Sequence, residues 1–239
     1  MGAIRQRLLG LVGLEDPGHP WILRSQRLRR RLFRSDAHVS GHYLALTADP
    51  KLHIGGGAHL LDGWLNTDLA VIPGVTIMDA TRRFPFADGS FQFVFSEHMI
   101  EHIQYEDAIG MLRECHRVMR KGGIIRVTTP DLAAITGLYA GKLSGSESRY
   151  LSWFCETFLP PDHPRTAASA INAHFRMWGH QFLYDEWTLA EALRMADFKS
   201  VTRRRLGESP YAALQRLENV DRYPEGLLDF ESVALEASK

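Results

Sequence analysis

Residues 51–68 read KLHIGGGAHLLDGWLNTD, and the way this stretch is parsed decides the fold. Leu52-His53-Ile54 is a short strand that runs straight into Gly55-Gly56-Gly57. Three glycines after a strand let the backbone turn sharply and approach a ligand with no Cβ in the way. The segment reads G-x-G-x-x-L and lacks the third small residue of a dinucleotide fingerprint, which weighs against a nicotinamide oxidoreductase. Outward from here, Val75 to Met78 is a second apolar run that ends at Asp79, and Phe91 to Ser96 is apolar on both faces, as a buried parallel strand is. Tyr105 to Arg120 has helical spacing, with Ile109, Leu112, Cys115, His116 and Met119 on one side, and Lys121-Gly122-Gly123 stops it. Ile124 to Thr128 is again a strand, halted by Pro130. Strands alternating with helices imply an α/β fold with a doubly wound, mostly parallel sheet and a ligand crevice at the carboxyl ends of the strands.

The remaining chain fits one large domain at 49–239, within which residues 132–183 break the rhythm and read as a cap insertion. A helix from Trp187 to Ala196, a strand near 200–205 and a last strand near 230–235 follow. Residues 1–48 read as a basic helical appendage or lid. Trp21, Leu28 and Leu32 share one helical face there, and residues 18–34 suit peripheral contact with an anionic membrane. Residues 1–34 hold eight arginines against Glu15 and Asp16, a balance of +6 that leaves −6 for the rest of a neutral chain. An acidic body argues against nucleic acid as the partner, since duplex binding needs a basic face. Cys115 and Cys155 make neither a metal pair nor a disulfide framework, which suits a reducing compartment. With no apolar run near the roughly 20 residues of a membrane span, the cytoplasm is the expected location.

Asp68 and Asp79 sharpen the ligand. Each stands at or just beyond a strand end, downstream of the glycines, where a carboxylate accepts hydrogen bonds from ribose hydroxyls or an adenine amino group. Either alone is as readily a turn or helix cap. At this point the sequence resembles the class I S-adenosylmethionine-dependent methyltransferases, in particular a bacterial type 11-like branch with a G-W-x-N-x-D segment. The residues that carry the resemblance are 52–57, Gly63-Trp64-Leu65-Asn66-Thr67-Asp68, Asp79-Ala80, Phe84 to Phe91, Glu97 to His102, LRECHRVMRKGGIIRVTTPD at 112–131, and His174 to His180 with Tyr184-Asp185. The resemblance implies a seven-stranded sheet whose last strand is antiparallel, with S-adenosylmethionine as cofactor. Gly55, Gly56 and Gly57 would lie against its methionine part, Asp68 on the ribose, Asp79 and the Ala80 backbone on the adenine, and Ser96 and Glu97 beside the transferred methyl group.

The departures are as informative. His53 stands where many relatives carry an acid, Gly56 where they carry cysteine or another small residue, and Gln92 where the pattern has aspartate. The short interval between Ile54 and Asp68 leaves room for only a very short helix in a parallel crossover. For an oxygen acceptor on a sugar or small metabolite, His98 is the first choice of base and His180 the second. Trp153, Arg176 and Trp178 are the candidate acceptor-lining residues within an aromatic-rich stretch at 150–184, although such rings equally make a core and Arg176 equally pairs with Asp185. Two further readings stand beside this one. A methyltransferase-like domain that binds cofactor without transfer would act as a scaffold. A zinc hydrolase would use His98-Met99-Ile100-Glu101-His102 as H-x-x-E-H on a helix, both histidines on one face. Outside that last reading, no metal is expected.

Overall fold

The computed structural model describes residues 38–140 and 143–239; the basic face at residues 18–34 lies outside them. Strands β1 (Lys51–Ile54), β2 (Leu65–Asp68), β3 (Thr76–Ile77), β4 (Phe91–Glu97), β5 (Met119–Pro130), β6 (Lys199–Arg204) and β7 (Ser232–Ser238) form one seven-stranded sheet in the order β3-β2-β1-β4-β5-β7-β6. β1 to β5 pair parallel, and β7 runs antiparallel to both β5 and β6. The sheet is therefore the doubly wound one the alternation predicts, with its last strand reversed. The strand order turns back between β1 and β4, which puts the ligand crevice at their carboxyl ends. The helices are α1 (38–46), α2 (Tyr105–Val118), α3 (Leu132–Gly137), α4 (Gly145–Phe158), α5 (Ala167–Arg176), α6 (Glu186–Met195) and α7 (Leu227–Glu231).

Two boundaries move, and one glycine has a different role. The helix expected to reach Arg120 ends at Val118, because Met119 already pairs with Phe91 of β4. Gly123 is required by proximity rather than by a helix stop: a Cβ there would sit 2.9 Å from the Gln92 carbonyl oxygen. The last strand begins at Ser232 instead of residue 230, since Leu227–Glu231 closes a short helix first.

One face of the sheet is covered conventionally. Leu52, Ile54, Val94, Ile125, Val127, Val233 and Leu235 pack against Leu112, Cys115, Leu189 and Leu193 of α2 and α6. The other face is not. Residues 55–64 join β1 to β2 with turns and no helix at all, so the very short helix expected there is absent, and β2 reaches β3 without one too. The exposed apolar surface is covered by a returning segment, residues 205–222, which lays Leu214 and Leu217 on Trp64, Phe95 and Ile124.

That segment is pinned by a buried arginine. The Arg126 side chain is fully enclosed; its Nε donates to Glu218 (2.6 Å), Nη1 to Glu236 (3.0 Å) and to the Glu208 carbonyl (2.9 Å), and Nη2 to the Arg205 carbonyl (2.9 Å). Glu218 in turn accepts from the Gly207 amide (2.9 Å). A guanidinium has five fixed donors, and here two carboxylates and two carbonyls take four of them, with two counter-charges beside it, the condition under which a buried charge is tolerated. At the other margin, the Tyr43 hydroxyl of α1 accepts from the Lys51 amide (2.9 Å) and donates to the Gly63 carbonyl (3.0 Å), tying α1 to the start of β1.

The cap has its own core. Tyr150, Phe154, Cys155 and Leu159 of α4 and its C-terminus meet Ala170 and Ala173 of α5 and Leu227 of α7. Phe182 and Tyr184 instead join the main core. Replacing Arg126 by Met should destabilise the fold by about 3–5 kcal/mol, because Glu218 and Glu236 are then buried without a counter-charge. Urea denaturation of Arg126→Met against the parent measures this, and a midpoint unchanged from the parent's would refute the pin.

Candidate functional site

The carboxyl ends of β1, β2 and β4 build the first half of the site. Gly55 and Gly57 both adopt the left-handed region (φ 68° and 53°), so the loop needs glycine at those positions. The Gly55 amide donates to the Thr67 carbonyl (2.9 Å), holding the turn against β2. The Gly57 amide donates to Asp68 Oδ2 (2.9 Å), and Asp68 Oδ1 accepts from the Ala70 amide (2.8 Å). Each carboxylate oxygen keeps a second lone pair, so Asp68 can still accept from a diol. At Gly57 a Cβ would meet nothing within 4 Å, so this glycine faces open space beside Asp68, while the Met99 side chain closes over Gly55. Asp79 Oδ1 accepts from the Thr81 amide (3.0 Å) and hydroxyl (2.7 Å), and its Oδ2 lies 3.8 Å from Arg82. It is thus a turn cap with one oxygen left over from hydrogen bonding, and the half-buried Ala80 follows it. Ser96 is buried with its Oγ unpartnered.

Glu97 points the other way from Ser96. Its carboxylate accepts from the Asn219 amide (3.1 Å) and from Arg222 (3.2 Å), with His59 Nδ1 3.6 Å away, so it fastens the end of the covering segment to β4. The two sequence departures at His53 and Gly56 explain each other. The buried His53 ring stacks on Phe95 (5.3 Å between centroids) and bonds Asn66 (3.0 Å). A Cβ on Gly56 would lie 2.4 Å from the same ring. His53 fills the helix-less face, and only glycine fits above it.

The second half of the site lies under the cap. His98 follows β4 with φ 47°, a conformation that an L-residue holds only when its surroundings impose it. Its amide donates to the Thr128 carbonyl (2.8 Å), its Nε2 is 3.0 Å from Ser232 Oγ, and its Nδ1 is 3.4 Å from Glu101 Oε1. Burial pushes the imidazole well below the usual histidine range, with the nearby Arg222 adding to the shift. The fully buried Glu101 accepts from Thr129 Oγ1 (2.9 Å). His180 Nδ1 lies 2.6 Å from the His174 carbonyl, which forces that nitrogen to be the donor and leaves Nε2 with its lone pair. His102 and His180 meet edge to face, 4.9 Å between centroids. Deeper still, Tyr150 donates to Glu231 (2.5 Å), stands 2.9 Å from His174 Nε2, and Tyr223 donates to the other Glu231 oxygen (3.0 Å). Burial raises the Glu231 carboxyl to about 7 and lowers His174 to about 3.

The structure thus gathers His98, Glu101, His102 and His180, with Trp178 beside His180 (5.6 Å between rings). Trp178 has φ 57° and the adjoining Gly179 φ 77°, a strained corner that delivers His180. Trp153 packs half-buried on Tyr150 and Tyr223. Arg176 is exposed in the last turn of α5, and no ion pair joins it to Asp185 among the described residues; Asp185 caps α6 through the Thr188 amide instead. His98 and His102 do not share a helical face: the segment is a single 3-10 turn, Ile100–His102, and His98 turns toward Ser232, so the helical H-x-x-E-H arrangement does not form. Sequence reasoning missed Glu231, Tyr223 and Arg222 as site neighbours. Glu231 meets Tyr150 81 residues away and Arg222 meets Glu97 125 residues away, and no short motif marks them.

Residues 65–127, from β2 into β5, match the family model described as a methyltransferase domain. There is no match among curated proteins. Among solved structures, a SAM-dependent methyltransferase from Archaeoglobus fulgidus is 15% identical, covering 90% of this chain and 94% of its own, with a TM-score of 0.47. An S-adenosylmethionine-dependent methyltransferase from Mesorhizobium loti is 16% identical over 83% of this chain and 96% of its own, with a TM-score of 0.44. Phosphoethanolamine N-methyltransferase 2 of Haemonchus contortus, in complex with S-adenosyl-L-methionine, is 18% identical over 83% and 52%, with a TM-score of 0.43. The family match spans residues 65–127, about a quarter of the chain.

Two expectations follow from the geometry. Gly56→Ala should destabilise by about 1–3 kcal/mol through overpacking on His53. In a double-mutant cycle, His53→Ala should remove most of that penalty, and additive penalties would sink the pairing. Glu231 gives a pH signature. A folded-state carboxyl raised to about 7 binds a proton that the unfolded chain has already lost above its ordinary value near 4.5, so this group's contribution to stability falls as pH rises through that window. Glu231→Gln should therefore gain melting temperature relative to the parent between pH 5 and 8. A mutant-to-parent difference that stays flat across that range would remove the claim.

Proposed function

We propose that this protein is a methyltransferase that moves the methyl group of S-adenosylmethionine to an oxygen of a sugar or small metabolite, in glycan or secondary-metabolite biosynthesis. The observation that carries the cofactor placement is the open left-handed Gly57 tied through its amide to Asp68, at the point where the strand order reverses. A Cβ-free backbone lets the nucleoside approach, Asp68 accepts its ribose hydroxyls, and the spare oxygen of Asp79 with the Ala80 backbone receives the adenine. Ser96, on the same face as the crevice, supplies a buried hydroxyl with no partner of its own.

Methyl transfer is an in-line displacement, so the chain's task is to align the acceptor and take its proton. His98 is the base of this reading. Its rotation out of the β4 line and its hydrogen bond to Ser232, with the Glu101 carboxylate 3.4 Å away, hold the ring at the floor of the acceptor half. His180 and Trp178 form the opposite wall, Trp153 an outer one, and exposed Arg176 meets an anionic group on the acceptor. The cap at 132–183 then roofs the acceptor, and a cytoplasmic setting fits the two unpaired buried cysteines. Among the described residues no helix is long and apolar enough to cross a membrane.

Calorimetry with S-adenosylhomocysteine tests the cofactor half. Asp79→Ala should weaken binding roughly 5- to 150-fold, the range corresponding to about 1–3 kcal/mol for an unmatched buried polar group. A folded Asp79→Ala protein that binds as the parent does would refute that residue's role.

A further inference from the structure

We propose that the chain holds one divalent first-row metal ion, ligated by Glu101, His102 and His180, at the floor of the acceptor half. A ligand atom from each of the three lies within 4.8 Å of the others, although His180 comes from the far end of the cap. Ligands about 2.1 Å from a shared ion stand roughly 3.4 Å apart in a tetrahedral set, so side-chain adjustments of about 1 Å close the site. The second observation is independent of that proximity. Glu101 is completely buried, its Oε2 is occupied by Thr129, and its Oε1 has no hydrogen-bond partner. The nearest group, His98 Nδ1, is 3.4 Å away. A buried carboxylate oxygen left unpaired is expensive in an apolar interior unless a cation meets it.

The surroundings are those of a ligand set. His180 is oriented by donation from Nδ1 to the His174 carbonyl, which leaves Nε2 to bind, the outer-shell bond that metal-bound histidines usually make. Thr129 orients Glu101 in the same way. Strained backbone at Trp178, whose ring packs on Phe158 in the cap core, brings His180 over. Two imidazoles and one carboxylate suit zinc, iron(II), manganese(II), cobalt or nickel, and leave positions open for oxygen ligands. This set differs from the helical pair His98 and His102, since His98 turns to Ser232. Here His180 is a ligand, and His98 remains the base. The ion's part in the reaction rests on the methyltransferase reading: it would bind an acceptor with two neighbouring oxygens and ease loss of a hydroxyl proton. The site itself does not rest on it.

The test is a titration of the chelator-treated full chain with cobalt(II), read as visible d–d absorption. The parent should saturate at about one equivalent, and His102→Ala and His180→Ala should each weaken binding at least tenfold while circular dichroism stays that of the parent. Where an alanine variant does not fold, the near-isosteric Glu101→Gln takes its place with the same expectation. No absorption in the folded parent, or folded variants that bind cobalt as tightly as the parent, would overturn the site. S-adenosylhomocysteine calorimetry on the same sample separates the two claims. Cobalt without nucleoside keeps the metal and loses the cofactor cradle; nucleoside without cobalt does the reverse.

Discussion

A single buried guanidinium, Arg126, lets this sheet exist with so short a first crossover. A parallel connection normally brings a helix to cover the face it crosses, and the turns at 55–64 bring none. The uncovered face holds Phe95 and Ile124, which must leave water by some other route. The chain returns after β6 to cover them, and an irregular segment can do so only if its backbone groups are satisfied. Arg126 satisfies two of its carbonyls directly and holds Glu218, which satisfies an amide. A hydrophobic residue in place of Arg126 would remove the charge but leave those groups orphaned.

The same segment reaches the site. Beyond Leu217 its Asn219 amide and Arg222 side chain converge on Glu97, next to the left-handed His98. Packing on the helix-less face and placement of the turn at His98 are therefore one construction. The backbone strain at His98 is held from three sides, by the Thr128 carbonyl, by Ser232 and by the Glu97 clasp immediately before it. Trp178 carries the matching strain in the cap. Strain of this kind persists only where neighbouring structure over-determines it, and two of the five non-glycine residues with positive φ among the described residues flank the same histidine cluster.

What was legible in the sequence divides along this line. The glycines at 55–57, the aspartates at 68 and 79, and the alternation of strands and helices are local signals, and each reports a neighbour within a few residues. They were sufficient for the doubly wound, mostly parallel sheet, while the reversed last strand was legible only through the family resemblance. The end of α2 at Val118 was not legible, because Met119 is as good a helix residue as a strand residue and only its pairing with Phe91 decides. Nor was the absent crossover helix, or Gly123 as a packing position, since both depend on what lies across the sheet. The aromatic-rich stretch split between two cores: Phe154 in the cap, Tyr184 in the main core. No periodicity in the sequence distinguishes them.

The two departures at His53 and Gly56 show how a family pattern is lost without losing the fold. A carboxylate at residue 53 would be buried against Phe95 with only Asn66 beside it, whereas a neutral imidazole stacks there and keeps one hydrogen bond. Burial holds that ring below the ordinary histidine range, so it brings no charge to the face. Its size then removes the Cβ from residue 56, and the loop is left with three glycines where two carry the left-handed conformations. The run of glycines at 55–57 is thus partly a consequence of covering the bare face. The glycine loop and the returning segment answer the same constraint from distant parts of the chain.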